Sequence, residues 1–159
     1  MSGLYTNWSA PTKYKGVQFA SRLEARWALF FDALAIRWQY EPQKFALEAG
    51  GYVPDFRLSW PNGLALWAEV KPTMDVVRVH DLKRYAQFSK QRTLVLLVGL
   101  PEPKAYSRAA APWDEIGVIL LPHGPHAALI DGGAALHDLT AITQACDLAT
   151  QAKFKRKRT

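Results

Sequence analysis

Apolar and polar positions along the chain alternate with two different periods, and each period predicts its own element. Over residues 21–35, Leu23, Trp27, Phe30, Phe31 and Leu34 recur at helical spacing and form one apolar stripe, with Ser21 placed as its N-cap. Residues 52–60 (YVPDFRLSW) and 64–71 (LALWAEVK) read as strands flanking the turn signal Pro61-Asn62-Gly63. A second helix is expected over 75–90, with Val76, Val79, Leu82 and Ala86 on one side and His80, Lys83, Arg84 and Gln87 on much of the other. Residues 93–99 (TLVLLVG) are continuously apolar and rich in branched side chains, as a strand covered on both faces would be. A further strand is expected over 116–121 (IGVILL) and a last helix over 138–152, whereas residues 1–19, punctuated by Pro11 and Gly16, read as irregular. The chain shows no internal repeat and no Gly/Ser linker. The order helix, hairpin, helix, buried strand predicts an α/β fold with a mixed central sheet flanked by helices. Residues 1–152 then make one domain, and residues 153–159 a basic tail without a fold of its own.

The hairpin is where polar positions interrupt the pattern. Alternate side chains of a strand share a face, so Leu66, Ala68 and Val70 point one way and Trp67, Glu69 and Lys71 the other. In the preceding strand Phe56 and Leu58 make the core side, and Asp55 and Arg57 face opposite. A two-residue Asn-Gly turn would set Asp55 across from Val70, an acid against a core position. A three-residue loop, Pro61-Asn62-Gly63 with Gly63 in the left-handed region, pairs Trp60 with Leu64 and sets Asp55 across from Glu69. Every side chain then lands on a sensible face, so this register is expected. Two carboxylates so paired stand roughly 5 Å apart at their Cβ atoms and repel. Lys71 offers part of the compensation, and a hard divalent cation such as Mg²⁺ or Mn²⁺ offers more. A solvated hairpin face is the alternative, but the stretch has few polar neighbours. Glu24 also has two readings. Ser21-Arg22-Leu23-Glu24 matches a capping box, yet Glu24 lies beside Phe31 on the helical wheel, at the edge of the buried stripe and within reach of the sheet.

Composition changes this picture little. The chain has 159 residues, 49% of them apolar, and a formal charge of +6. Five of those charges belong to Lys153, Lys155, Arg156, Lys157 and Arg158, so the remainder is near +1. The tail can grip phosphates without reading sequence, or can simply be solvated. No apolar run approaches the roughly 20 residues that span a bilayer. The N-terminus lacks the plan of a secretory signal, and the single Cys146 fits a reducing compartment, so an intracellular protein without a membrane partner is expected.

Ser21-Arg22-Leu23-Glu24-Ala25-Arg26-Trp27, Tyr40-Glu41-Pro42, Pro54-Asp55-Phe56 and Glu69-Val70-Lys71-Pro72, in that order, resemble the PD-(D/E)xK nuclease superfamily. The likeness is nearest to small phage-type members and to the endonuclease subunit of heteromeric transposases, and covers about residues 16–100. It implies a restriction-endonuclease-like core, a bacterial or phage-infected cell, and Mg²⁺- or Mn²⁺-dependent hydrolysis of phosphodiester bonds, most simply in DNA. On that resemblance Asp55 and Glu69 ligate the metal, with the Val70 carbonyl as a further ligand and Glu24 completing or supporting the shell. Lys71 orients and helps deprotonate the attacking water. The RecB-like branch carries a Gln and Tyr motif on the following helix, where this chain reads Asp81-Leu82-Lys83-Arg84-Tyr85, so that branch is not supported. Lys83, Arg84 and Lys15, with tail residues Lys155, Arg156, Lys157 and Arg158, are candidate contacts to nucleic acid, against the simpler reading of solvated charges. Glu41 stands near the motif but beside Pro42 in a loop, and His123-Gly124-Pro125-His126 reads as a turn, not a zinc site. Two alternatives remain from other classes: a noncatalytic nucleic-acid-binding or assembly module, and a nuclease subunit silent without a homodimer mate or partner protein.

Overall fold

The apolar stripe of residues 21–35 folds as helix α1 (Arg22–Ala33). Ser21 caps it, its Oγ accepting the Glu24 N–H at 3.1 Å, and Leu23, Trp27, Phe30, Phe31 and Leu34 are all buried. Each such side chain contributes roughly 1.5–3 kcal/mol by leaving water. The computed structural model describes residues 8–101, 118–120 and 139–154. Ahead of α1 the expected irregular segment contains a hairpin, β1 (Thr12–Tyr14) and β2 (Val17–Phe19). Lys15 and Gly16 at its tip both have positive φ, 47° and 78°, the turn that suits the twist of a two-residue hairpin. Three-residue strands are too short to show a period, which is why the pattern did not reveal them.

After α1 the chain makes β3 (Arg37–Tyr40), then a small separate hairpin of β4 (Phe45–Leu47) and β5 (Gly50–Tyr52). The single strand expected over 52–60 is thus divided. Tyr52 ends β5, Pro54 cannot donate to a ladder, and β6 runs only Phe56–Ser59. Next come β7 (Ala65–Lys71), a 3₁₀ turn at Met74–Val76, α2 (Val79–Ser89), β8 (Leu94–Val98), β9 (Val118–Leu120) and α3 (Leu139–Gln151). The main sheet has the order β3-β6-β7-β8-β9 and is mixed, antiparallel throughout except for the parallel pair β7–β8. Together with three α-helices among the described residues, this is a mixed α/β architecture.

The sheet is covered on both faces. One carries Phe56, Leu58, Ala68, Val70, Val95 and Leu97 against α1, with Ala145, Cys146 and Ala149 of α3 in the same cluster. The Arg26 guanidinium donates to the carbonyls of Ala149, Thr150 and Ala152 at 2.7–3.1 Å, closing the C-terminal end of α3 where carbonyls lack helical partners. The other face carries Trp67, Leu94 and Leu96 against Phe45, Tyr52, Tyr85 and Phe88. Here α2 is turned away from the expected orientation. Val79 is 71% exposed, Val76, Leu82 and Ala86 are also exposed, and Tyr85, Phe88 and Ser89 are buried instead. The aromatic residues win because their larger area fills the space between α2, the β4–β5 hairpin and Trp67. No helix among the described residues is long and apolar enough to cross a membrane.

Candidate active site

The loop after β6 sets the site. Gly63 has φ 88°, Trp60 N–H donates to the Leu64 carbonyl at 2.8 Å, and the ladder pairs Phe56 with Ala68. One step further brings Asp55 level with Glu69, the register in which side-chain alternation is satisfied. The ladder stops there and the Asp55 side chain takes over, its Oδ2 accepting the Val70 N–H at 2.7 Å. The Asp55 carbonyl in turn accepts the Glu41 N–H at 2.8 Å, which ties it to the end of β3.

Glu69 points into the aromatic side of the sheet and is only 6% exposed. Its Oε1 lies 3.2 Å from Lys71 Nζ, and its Oε2 accepts the Tyr52 hydroxyl at 2.9 Å. Even so, burial holds its pKa above the ordinary value, against the opposing pull of Lys71 and Tyr52. Burial also raises the Asp55 carboxyl, well above the usual range; the charges of Glu69 and Glu24 add to this, while the Val70 N–H and Lys71 work the other way. The two acids therefore titrate as a pair that binds a proton more readily than either would in water.

Glu24 approaches from the helix layer. Although Ser21 receives its N–H, its carboxylate accepts the Tyr40 hydroxyl, so the side chain is turned toward β3. A cleft of about 830 Å³ opens beside it, lined by Glu24, Ser21, Leu23, Val70, Lys71 and Thr73 among others. Glu24, Asp55, Glu69 and Lys71 thus meet at one end of the sheet, three acids against one lysine. Among the described residues, no three acid, imidazole or thiol side chains converge tightly enough to form a metal cage by themselves. The donors on hand for a cation are the Asp55–Glu69 pair, the Val70 carbonyl and Glu24 at longer reach. Oxygen donors and uncompensated negative charge fit Mg²⁺ or Mn²⁺ chemically.

The outlying candidates are not brought to this place. Lys15 pairs with Asp32 at 3.0 Å, roughly 12 Å along α1 from Glu24 at helical rise. Arg84 is engaged by Asp81 at 2.6 Å and by the Gly51 carbonyl, while Lys83 is exposed on α2. Lys153 is exposed beyond α3; Lys155, Arg156, Lys157 and Arg158, and His123 and His126, lie outside the described residues. Trp27 is core, and Trp67 is buried under the stacked guanidinium of Arg57. Tyr40 and Tyr52 join the site through contacts that the sequence pattern does not predict. Tyr40 lies inside the Tyr40-Glu41-Pro42 match, which was a signal for it; nothing local marks Tyr52. No known protein family, characterised protein or solved structure matches this chain.

Proposed function

We propose that the protein is a divalent-cation-dependent nuclease of the PD-(D/E)xK type, hydrolysing phosphodiester bonds of DNA as an endonuclease. The carrying observation is buried Glu69 beside half-buried Asp55, with Lys71 bonded to Glu69. Burying two like charges side by side costs stability, and a purely structural role gives no return for it. A helix before the β6–β7 hairpin and another after it, leading to β8, is the arrangement that the resemblance implies for such a core, which adds support.

In this reading Asp55, Glu69 and the Val70 carbonyl hold Mg²⁺ or Mn²⁺, with Glu24 supporting them. The ion, when bound, supplies positive charge to the phosphate and lowers the pKa of water. Asp55 is aligned for this by the Val70 N–H, which fixes one carboxylate oxygen and leaves the other for the cation. Lys71 lines the cleft and holds its ammonium beside Glu69; in this reading it orients the attacking water and offsets charge that develops on the phosphate. Lys15 and Arg84 are engaged by Asp32 and Asp81, so in this reading the substrate's backbone is bound by Lys83, the basic tail and partner chains.

One observation favours the noncatalytic alternative, a nucleic-acid-binding or assembly module: the absence of a convergent three-ligand cage among the described residues. Incubation with supercoiled plasmid and with short single- and double-stranded DNA and RNA, in Mg²⁺, Mn²⁺ or EDTA, separates the two. The nuclease reading expects divalent-dependent cleavage lost in Asp55→Ala and Lys71→Ala. Cleavage equal in both variants removes this site from the chemistry, and a gel shift without any cleavage favours the binding module.

A further inference from the structure

Tyr40 and Tyr52 come from different parts of the fold and do the same thing on opposite sides of the site. Tyr40, at the end of β3, accepts the Ala20 N–H at 3.1 Å. An amide N–H can only donate, so the single phenolic proton of Tyr40 is committed to Glu24 Oε2. Its ring is wedged against Phe19 at 4.5 Å and Phe56 at 5.6 Å between centroids, which fixes the direction of the hydroxyl. Tyr52, at the end of β5, donates to Glu69 Oε2 from a ring packed on Tyr85 at 5.7 Å and Phe88 at 5.2 Å. The hairpin that carries it belongs to no larger sheet. It is held by α2, where Gln87 accepts the Ala49 N–H and Arg84 donates to the Gly51 carbonyl.

We infer that Tyr40 and Tyr52 are positioning residues, each tethering one oxygen of a site carboxylate and so fixing the orientation in which that carboxylate meets the bound cation. The inference rests on the nuclease reading and deepens it. Glu24 is the clearer case. The capping pattern would fold its carboxylate back on the helix start, and the Tyr40 hydroxyl gives it a different bond, toward β3. For Glu69 the tether opposes Lys71: with Oε2 held by Tyr52, the carboxylate cannot rotate to give both oxygens to the ammonium. The β4–β5 hairpin thereby acquires a task, presenting one hydroxyl to the back of the site. Partners of this kind, one bond removed from a ligand, typically change metal affinity by about 10–100-fold when removed.

The test uses the full chain and its Tyr40→Phe and Tyr52→Phe variants, which keep the ring and its stacking and lose only the hydroxyl. Mn²⁺ binding is measured by titration calorimetry, and the Mg²⁺ concentration for half-maximal plasmid cleavage is measured alongside, with thermal melting to report folding. The expected result is weaker Mn²⁺ binding by about tenfold in each variant, a matching rise in the Mg²⁺ requirement, and cleavage largely restored at saturating Mg²⁺. A purely structural role would lower the melting temperature and leave the Mn²⁺ affinity of the folded protein unchanged. Unchanged affinity in both variants, with a wild type that binds and cuts, overturns the inference and leaves the nuclease reading standing. A wild type that neither binds Mn²⁺ nor cuts overturns both. Should one variant fold poorly, the other carries the test.

Discussion

Replacing Asp55 by Asn removes one of two neighbouring charges held largely away from water, with almost no change of shape. At roughly 5.5 Å and an effective dielectric near 20, two carboxylates repel by about 3 kcal/mol, and Lys71 returns part of that. Desolvation of the Asp55 carboxylate adds to the cost. The asparagine carbonyl can still accept the Val70 N–H, and its NH₂ can donate toward Glu69, so the loss is a charge-assisted bond becoming a neutral one, about 1 kcal/mol. The balance favours the variant by about 1–2 kcal/mol in EDTA at pH 8, or about 3–6 °C in melting temperature for a chain of this length. The gain must also depend on pH. Both folded-state pKa values are raised, so the folded chain holds protons that the unfolded chain has released. Their contribution to stability is fully present below the free-acid values near about pH 4 and is lost as pH rises through the folded ones. Asp32 and Asp81, whose pKa values are lowered, run the other way, and they cancel when wild type and variant are compared. Melting curves from pH 4 to 9 should therefore converge on the acid side and separate on the alkaline side. Excess Mn²⁺ should close and then reverse the gap by stabilising the wild type, by about 2.7 kcal/mol at one hundred times its dissociation constant. A variant less stable than wild type at pH 8 in EDTA, or two curves parallel in pH, would refute the reasoning.

Two further substitutions probe the frame around the site. Arg26→Met keeps the aliphatic stem but removes three bonds to α3 carbonyls, and should cost about 2 kcal/mol, with amide exchange by mass spectrometry speeding up in α3 before the main sheet. Gly63→Ala forces a side chain onto φ 88° with open space around it, so strain alone should cost about 1 kcal/mol in denaturant unfolding; a neutral result would remove the left-handed loop as the source of the register.

What the sequence made legible was what depends on local geometry. Five apolar residues at helical spacing located α1, and the faces of two short strands, with one turn, brought Asp55 level with Glu69. What stayed hidden depends on contacts between distant segments. The inward face of α2 was misjudged because Val76, Val79 and Leu82 make a better stripe than Tyr85 and Phe88 when the aromatic cluster they join is unknown. Tyr52 is invisible as a partner of Glu69 because it stands seventeen positions earlier, at the end of a hairpin outside the main sheet. Glu24 stood between a cap and a ligand, and its bond to Tyr40 shows a third possibility, a carboxylate turned by a neighbouring strand.

The parallel pairing of β7 with β8 carries a consequence for the order in which the chain can fold. The β6–β7 hairpin closes over a three-residue loop, so Asp55 and Glu69 meet early and cheaply. The end of β7 is completed only when α2 has docked and the crossover has closed, with the Gly99 N–H reaching the Lys71 carbonyl at 2.8 Å. Closing that crossover carries a larger entropic cost than closing the hairpin, so the backbone frame beyond Lys71 depends on a longer segment of chain than the pairing of the two acids does.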